Sequence, residues 1–317
     1  MKVLANDGVS QSGIDALEKA GFEVSTTTVA QEQLENYINE NQISVLLVRS
    51  ATTVRQDLID ACPNLKIIGR GGVGMDNIDV EYARKKGLDV INTPAASSSS
   101  VAELVFAHLY GGVRYLYDSN RNMPLDGDTK FKALKKNYAK GSELRGKTLG
   151  IIGFGRIGQE VAKIGLGVGM KVIASDLYVP KATIKVDFFD GQFINIDIET
   201  ESIESILKQS DFISLHVPAQ KDYVIGKDQI NKMKDGVGLI NAARGGVIDE
   251  AALINALESG KIAFAGLDTF ENEPTPAIQV LMNGRLSLTP HIGAATNEAQ
   301  DRIGTELAAQ IIGILKS

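Results

Sequence analysis

The chain has one cysteine, Cys62, three histidines and no apolar run approaching the length of a membrane span. A single thiol excludes an internal disulfide and any cysteine-cluster metal site, and no metal is among the expected ligands. Cys62 follows Leu58 and Ile59 at helical spacing and reads as a small buried hydrophobe. The start MKVLAND reads as a first strand rather than a leader peptide, and no stretch suits a bilayer, which together point to the cytosol and to no membrane partner. Positive charge is not in excess either: 33 Lys and Arg face 39 Asp and Glu, a net charge of −6. Sequence-independent nucleic-acid binding needs a basic face, so it is not expected. An anionic substrate would need its positive partners gathered locally.

At 317 residues the chain exceeds what one core usually supports, and two domains are the default. Residues 2–5, 22–25, 45–48, 66–69 and 88–92 read as strands, with helices at 11–20, 31–41, 56–61 and 80–86 between them. That alternation means a parallel sheet covered on both faces. Strand-like runs at 149–152, 171–174, 212–216, 237–241, 264–267 and 286–288 form a second series. The final helix, 298–315, is expected to return to the first domain. The expected fold is α/β with two doubly wound parallel sheets, a Rossmann domain over 96–285 inserted into a flavodoxin-like domain over 1–95 and 286–317. Ser100 and Glu103 fit a capping box before a long helix over 101–123. Residues 183–199 alternate apolar and polar around Asp190-Gly191, which predicts a surface hairpin or edge ribbon with a type I′ turn.

The densest information lies in 149–176, LGIIGFGRIGQEVAKIGLGVGMKVIASD. A strand leads into Gly153-x-Gly155-x-x-Gly158, then a helix, then a second strand ending at Asp176, eighteen residues beyond the last glycine. This is the dinucleotide-binding fingerprint, and each residue has a physical task. Gly153 permits the turn, Gly155 lets amides approach a pyrophosphate, and Gly158 lets helix and strand lie close. The helix start supplies partial positive charge. Asp176 can accept from both ribose hydroxyls and would repel a 2′-phosphate, so NAD is expected over NADP.

The histidines make the chemical search short. His108 lies in the apolar pattern of the long helix and reads as packing. His216 ends a strand in SLHVP, where a cofactor-lining role and a structural one are equally open. His291 lies in LTPHIGA, where a strand stops and the chain turns. Two other strand ends carry Arg244, followed by two glycines, and Asp268 with Glu273 in LDTFENEP. Alcohol–NAD hydride transfer needs this set: a histidine for the hydroxyl proton, a carboxylate to orient it and stabilise the imidazolium, and an arginine to fork onto a carboxylate and carbonyl oxygen.

GFGRIG with Asp176, INAARGGVIDE, GLDTFENEP and TPHIGAATNEAQ occur in the order and spacing of the D-isomer-specific 2-hydroxyacid dehydrogenases, and the chain resembles that family over nearly its whole length. The resemblance implies Arg244, Glu273 and His291 as catalytic residues. It implies cofactor contacts at Val73, Arg156, Ile157, Asp176, Val217, Ala242, Arg244, Asp268, His291 and Ala294, and Gly153, Gly155, Gly158, His216, Pro218, Ala243 and Gly293 complete the expected cofactor set. Within the family, VRSATTV, GRGGVGMDNID and GSELRGKTLGI are most similar to the branch that oxidises 3-phospho-D-glycerate with NAD. Arg49 and Arg70, which end neighbouring strands, could then hold a phosphate, and the amides of Gly72, Val73 and Gly74 a carboxylate. Ser50, Arg244, His291 and Gln300 complete the implied substrate set. Domain closure over the ligands and a homodimer joined through the cofactor domains are also implied. Lys135 and Lys136 stand where relatives bring a basic residue from the partner subunit, although an ordinary charged helix face accounts for them. The chain departs from the pattern at Ser97, where asparagine is usual, and at Tyr223, where threonine is. It also ends soon after its last helix, so no appended regulatory domain is expected.

Overall fold

The computed structural model describes residues 1–316. The chain divides into two compact units, Met1–Ser100 with Ala294–Ser317, and Val101–Gly293.

In the first unit, β1 (Lys2–Ala5), β2 (Glu23–Ser25), β3 (Ile43–Val48), β4 (Ile67–Arg70) and β5 (Asp89–Asn92) form one parallel sheet in the order β2-β1-β3-β4-β5. This is the flavodoxin-like order. Strands buried on both faces need apolar residues at every position, and β3 supplies them. Its Leu46 and Val48 pack with Leu34, Ile38 and Ile68 on one side, and its Val45 and Leu47 with Leu17, Ile303 and Leu307 on the other. Each such fully buried aliphatic side chain contributes about 1.5–3 kcal/mol. Ile303 and Leu307 come from the last helix, Asn297–Lys316, which lies against the first helix, Gln11–Lys19. The two touch at glycines: a Cβ on Gly13 would come within 2.8 Å of the Gly304 backbone.

In the second unit, β6 (Thr148–Ile152), β7 (Lys171–Ser175), β8 (Lys181–Asp187), β9 (Phe193–Glu199), β10 (Phe212–Leu215), β11 (Val237–Asn241), β12 (Ile262–Leu267) and β13 (Leu286–Leu288) form a six-stranded parallel sheet and a separate hairpin. The sheet runs β13-β12-β11-β10-β6-β7. The chain steps outward from β6 to β7, then returns to β10 and proceeds the other way. The reversal between β6 and β10 opens the crevice in which doubly wound sheets hold ligands.

Four expectations need correction. Leu286–Leu288 is not part of the first unit: Ala265, Gly266 and Leu267 pair with Leu286, Ser287 and Leu288, so the return crossing falls at Gly293/Ala294. The long helix is two helices, Ser98–Val113 and Leu116–Asp126, because Tyr115 adopts φ 55 and ends the first. The helix already starts at Ser98, so Ser100 lies inside the first turn; its hydroxyl meets Thr296 at 2.8 Å. The hairpin turn is a three-residue loop, not type I′. Phe188 N–H donates to Gln192 and Gly191 N–H to Phe188, with Gly191 at φ 86, the type I turn plus glycine bulge. The hairpin packs Ile184 and Ile198 into the core beneath the helix Arg156–Val168, with Phe188 and Phe189 exposed at its tip.

Candidate nucleotide and catalytic site

All six strands of the second sheet are parallel, so their C-terminal ends share one edge. The turn after β6 is tight because Gly153 sits at φ 94, and a Cβ there would come within 2.5 Å of the His216 carbonyl after β10. Gly158 is pressed so closely on the Gly153 carbonyl oxygen that any side chain would overlap it, whereas Gly155 faces open space. The helix Arg156–Val168 begins at Gly155 without a side-chain cap. Its first amides are therefore available to an anion at the positive end of the helix. Asp176 holds the same turn: one carboxylate oxygen accepts from Phe154 N–H at 2.6 Å, the other from Tyr178 and Val179 N–H. The oxygen that faces Phe154 accepts only that one bond and keeps a further lone-pair direction for a ribose hydroxyl. These features fit a dinucleotide.

His216 accepts or donates at Nε2 with the Ser214 hydroxyl at 2.8 Å, and its buried Nδ1 has no partner among the described residues. Burial depresses the imidazole to about 3. Val217 and Pro218 continue from it at the reversal point, and Ala242 and Ala243 lie buried at the end of β11.

Arg244 follows directly. Asn241 braces its turn, donating to the Arg244 carbonyl at 2.8 Å and accepting from Ala243 N–H at 3.0 Å. Gly245 backs so closely onto the Phe270 carbonyl that a side chain would overlap it, which brings the arginine turn against the loop after β12. That loop carries Glu273. One Glu273 oxygen accepts from Phe270 N–H at 3.0 Å and the other meets His291 Nδ1 at 2.9 Å. The histidine and carboxylate are each a little over a third exposed. They wall an apolar hollow of about 410 Å³ with Phe270, Pro274, Leu281, Leu288 and Pro290. His291 adopts φ 54, unusual for a residue with a Cβ. Asp268, 1% exposed, fixes the turn: it accepts from the Thr289 hydroxyl at 2.6 Å and from Ile292 and Gly293 N–H at 2.8 Å each. Of the sequence-derived set, Gly153, Gly155, Arg156, Ile157, Gly158, Asp176, His216, Val217, Pro218, Ala242, Ala243, Arg244, Asp268, Glu273, His291 and Gly293 all lie in this unit, and Arg244, Glu273 and His291 follow neighbouring strands.

The chain matches the model of the D-isomer specific 2-hydroxyacid dehydrogenase NAD binding domain over residues 106–293. It belongs to that family. It is accordingly an NAD-dependent D-2-hydroxyacid dehydrogenase, an oxidoreductase. It is similar to the hydroxypyruvate reductase of Thermotoga maritima, 44% identical over 98% of this chain and 97% of that one. The D-3-phosphoglycerate dehydrogenase of Methanocaldococcus jannaschii is 41% identical over the whole chain, which spans 58% of that protein's length. Among solved structures, the D-lactate dehydrogenase of Aquifex aeolicus in complex with NAD and lactic acid is 31% identical with a TM-score of 0.75, covering all of this chain and 96% of that one.

The remaining expected cofactor and substrate residues lie in the first unit. Val48 and Arg70 are register partners, so Arg49 and Arg70 leave adjacent strands at the same edge. Asp7 anchors the Arg49 loop, accepting from Arg49 N–H at 2.6 Å and from the Thr52 hydroxyl at 2.6 Å. Asn77 donates to the carbonyls of Arg49 and Thr52. Ser50 is exposed in that loop. Arg70 folds over Gly72, where φ is 150 and a side chain would overlap the guanidinium. The expected nest is smaller than three amides, because Gly72 N–H donates to the Arg70 carbonyl. Val73 and Gly74 N–H remain. Gln300 spends its side-chain amide on the Ala294 carbonyl at 2.8 Å. Lys135 and Lys136 are exposed on the short helix Phe131–Asn137, and Ser97 is buried.

Sequence reasoning missed Thr289 and the reciprocal lock in which Glu250 and Glu271 each accept the other's backbone N–H, at 3.0 and 2.9 Å. Neither has a local signal, since the partners lie about twenty residues apart. Among the described residues no helix is long and apolar enough to cross a membrane, and no cluster of three or more potential ligands is placed to hold a metal ion.

Proposed function

We propose that this dehydrogenase oxidises 3-phospho-D-glycerate to 3-phosphooxypyruvate. The observation that carries the reading is the pair of arginines, Arg49 and Arg70, at the same edge of adjacent strands, with Asp7 and Asn77 bracing the Arg49 loop. Two arginines leaving neighbouring strand ends suit a dianionic phosphate better than a small neutral substituent. The amides of Val73 and Gly74 would bind a carboxylate. The similarity to phosphoglycerate dehydrogenases over the whole chain supports the same choice.

Bound NAD would accept the hydride, held by the turn Gly153–x–Gly155–x–x–Gly158 and by Asp176. His291, oriented by Glu273 through Nδ1, takes the C2 hydroxyl proton on Nε2. The Glu273 carboxylate stabilises the resulting imidazolium. Arg244 forks onto the substrate carboxylate and the developing carbonyl oxygen, which draws electron density from C2. Asp176 disfavours a 2′-phosphate and so sets the choice of NAD.

A second reading has its own support in the full-length similarity to a hydroxypyruvate reductase. The two separate on one panel: 3-phosphoglycerate, D-glycerate and D-lactate with NAD, and hydroxypyruvate and glyoxylate with NADH, each with the wild type and Arg49→Ala. A phosphoglycerate rate well above the rest, lost selectively in Arg49→Ala, supports the phosphate reading. Equal losses on unphosphorylated acids overturn it in favour of a general 2-hydroxyacid reductase. A cytoplasmic homodimer belongs to the same proposal, its self-association supported by the exposed apolar side chains Leu116, Leu125 and Phe131 on the helices Leu116–Asp126 and Phe131–Asn137.

A further inference from the structure

His108 is 3% exposed on the helix Ser98–Val113, and both of its ring nitrogens are engaged. Nδ1 lies 2.8 Å from the Ser287 hydroxyl and Nε2 lies 3.1 Å from the Thr289 hydroxyl. The direction of each bond follows from proton counting. Thr289 has one hydroxyl hydrogen, and Asp268 at 2.6 Å is an acceptor only, so the hydrogen points to Asp268. Thr289 must then accept from His108 Nε2–H, and Nδ1 accepts from Ser287. The next links are Asp268 to the amides of Ile292 and Gly293, the two residues that follow the strained His291. His291 N–H itself donates to the Thr289 carbonyl at 3.1 Å. Thr289 thus touches both ends of the relay. β12 is shaped for the approach: a Cβ at Gly266 would lie 2.6 Å from that of His108.

We propose that His108, as its Nε2–H tautomer, is a positioning residue that fixes the His291 turn through Thr289 and Asp268. The inference rests on His291 being the acid/base. Left-handed backbone at a residue with a Cβ is costly and persists only when its surroundings over-determine it. The relay supplies that constraint and also completes the hydrogen bonding of a buried carboxylate. Burial lowers the pKa of His108, with Asp268 opposing, so the donor–acceptor polarity of the relay holds through the neutral range. The charged group facing the ring is Asp268; Ser287 and Thr289 are its other polar neighbours.

The test compares His108→Met, which keeps volume without a donor, with His108→Gln, which places an amide N–H near the lost Nε2–H. Thr289→Val breaks the next link while leaving the histidine in place. Rates are read as NADH oxidation with the fastest 2-oxoacid of the panel above, and NADH affinity by fluorescence titration. His108→Met is expected to lower kcat about tenfold with NADH affinity within about twofold, the mark of a misplaced catalytic group. His108→Gln recovers most of the loss, and His108→Met adds nothing in a Thr289→Val background. Equal kcat in the Met and Gln variants, or additive losses with Thr289→Val, would overturn the proposal and leave His108 as packing. His291→Ala, run alongside, separates the premise: turnover surviving in that variant with NADH bound overturns the acid/base reading itself.

Discussion

Acidification from about pH 7.5 to about pH 5 should destabilise this protein through His216 in particular. In the folded state burial holds the imidazole at about 3, against an ordinary value of 6.5. The unfolded chain therefore binds a proton as pH falls through 6.5 while the folded chain does not, and stability falls with pH below that point. Above about pH 6.5 the contribution is fully present; it is lost progressively down to about pH 3. At pH 5 the populations give about RT ln 10^1.5, or roughly 2 kcal/mol. His108, lowered by the same burial, acts in the same direction. The assay is urea denaturation at the two pH values for wild type and His216→Asn, which can still bond Ser214 but does not titrate. Other groups cancel in the difference, so the variant should lose about 2 kcal/mol less than wild type. With three histidines, ring nitrogen NMR assigns each resonance by single substitution, and His216 should stay neutral down to about pH 4.5. A wild type and variant that lose equal stability, or a His216 resonance that titrates near 6.5, would refute the account.

Two further substitutions test the site. Gly158→Ala places a methyl on the Gly153 carbonyl, so the helix must move off the strand; NADH affinity should fall more than about tenfold and thermal denaturation should show a cost of about 1–3 kcal/mol, whereas an unchanged affinity would mean the turn does not hold the nucleotide. Glu273→Gln keeps the size but removes the charge on His291 Nδ1; kcat should drop by about 10- to 100-fold with NADH affinity preserved, and full activity would remove Glu273 from the mechanism.

The sequence was legible where physics is local. Alternating strands and helices announced two parallel sheets because burial on both faces requires apolar runs such as ISVLLV. The glycine turn was legible because each glycine answers a backbone contact that no other residue fits. What was hidden depends on partners distant in the chain. Leu286–Leu288 has the same apolar look whichever sheet takes it, and only register with β12 assigns it. Tyr115 carries no helix-breaking signal, yet its left-handed backbone divides the long helix. At Asp190-Gly191 the turn residues were right, but the Phe188–Gln192 pairing that lengthens the loop is a property of register. His108 read as packing because an apolar helix pattern says nothing of Ser287 and Thr289, about 180 residues away.

The helix Asn297–Lys316 completes the first unit only after the whole of the second unit has been synthesised. Between Ser100 and Ala294 lie 293 − 100 = 193 residues, which take roughly 10–40 s to synthesise at ~5–20 residues per second. Throughout that interval Val45, Leu47 and Ile67 lack the Ile303, Leu307 and Ile311 side chains that cover their face of the sheet. The nascent amino-terminal segment therefore spends its synthesis with one side of its sheet unclad, a natural hold-point for chaperones and the stage most exposed to aggregation. Closure of that unit is a post-insertion event, and the Gly13–Gly304 contact is the seam at which it ends.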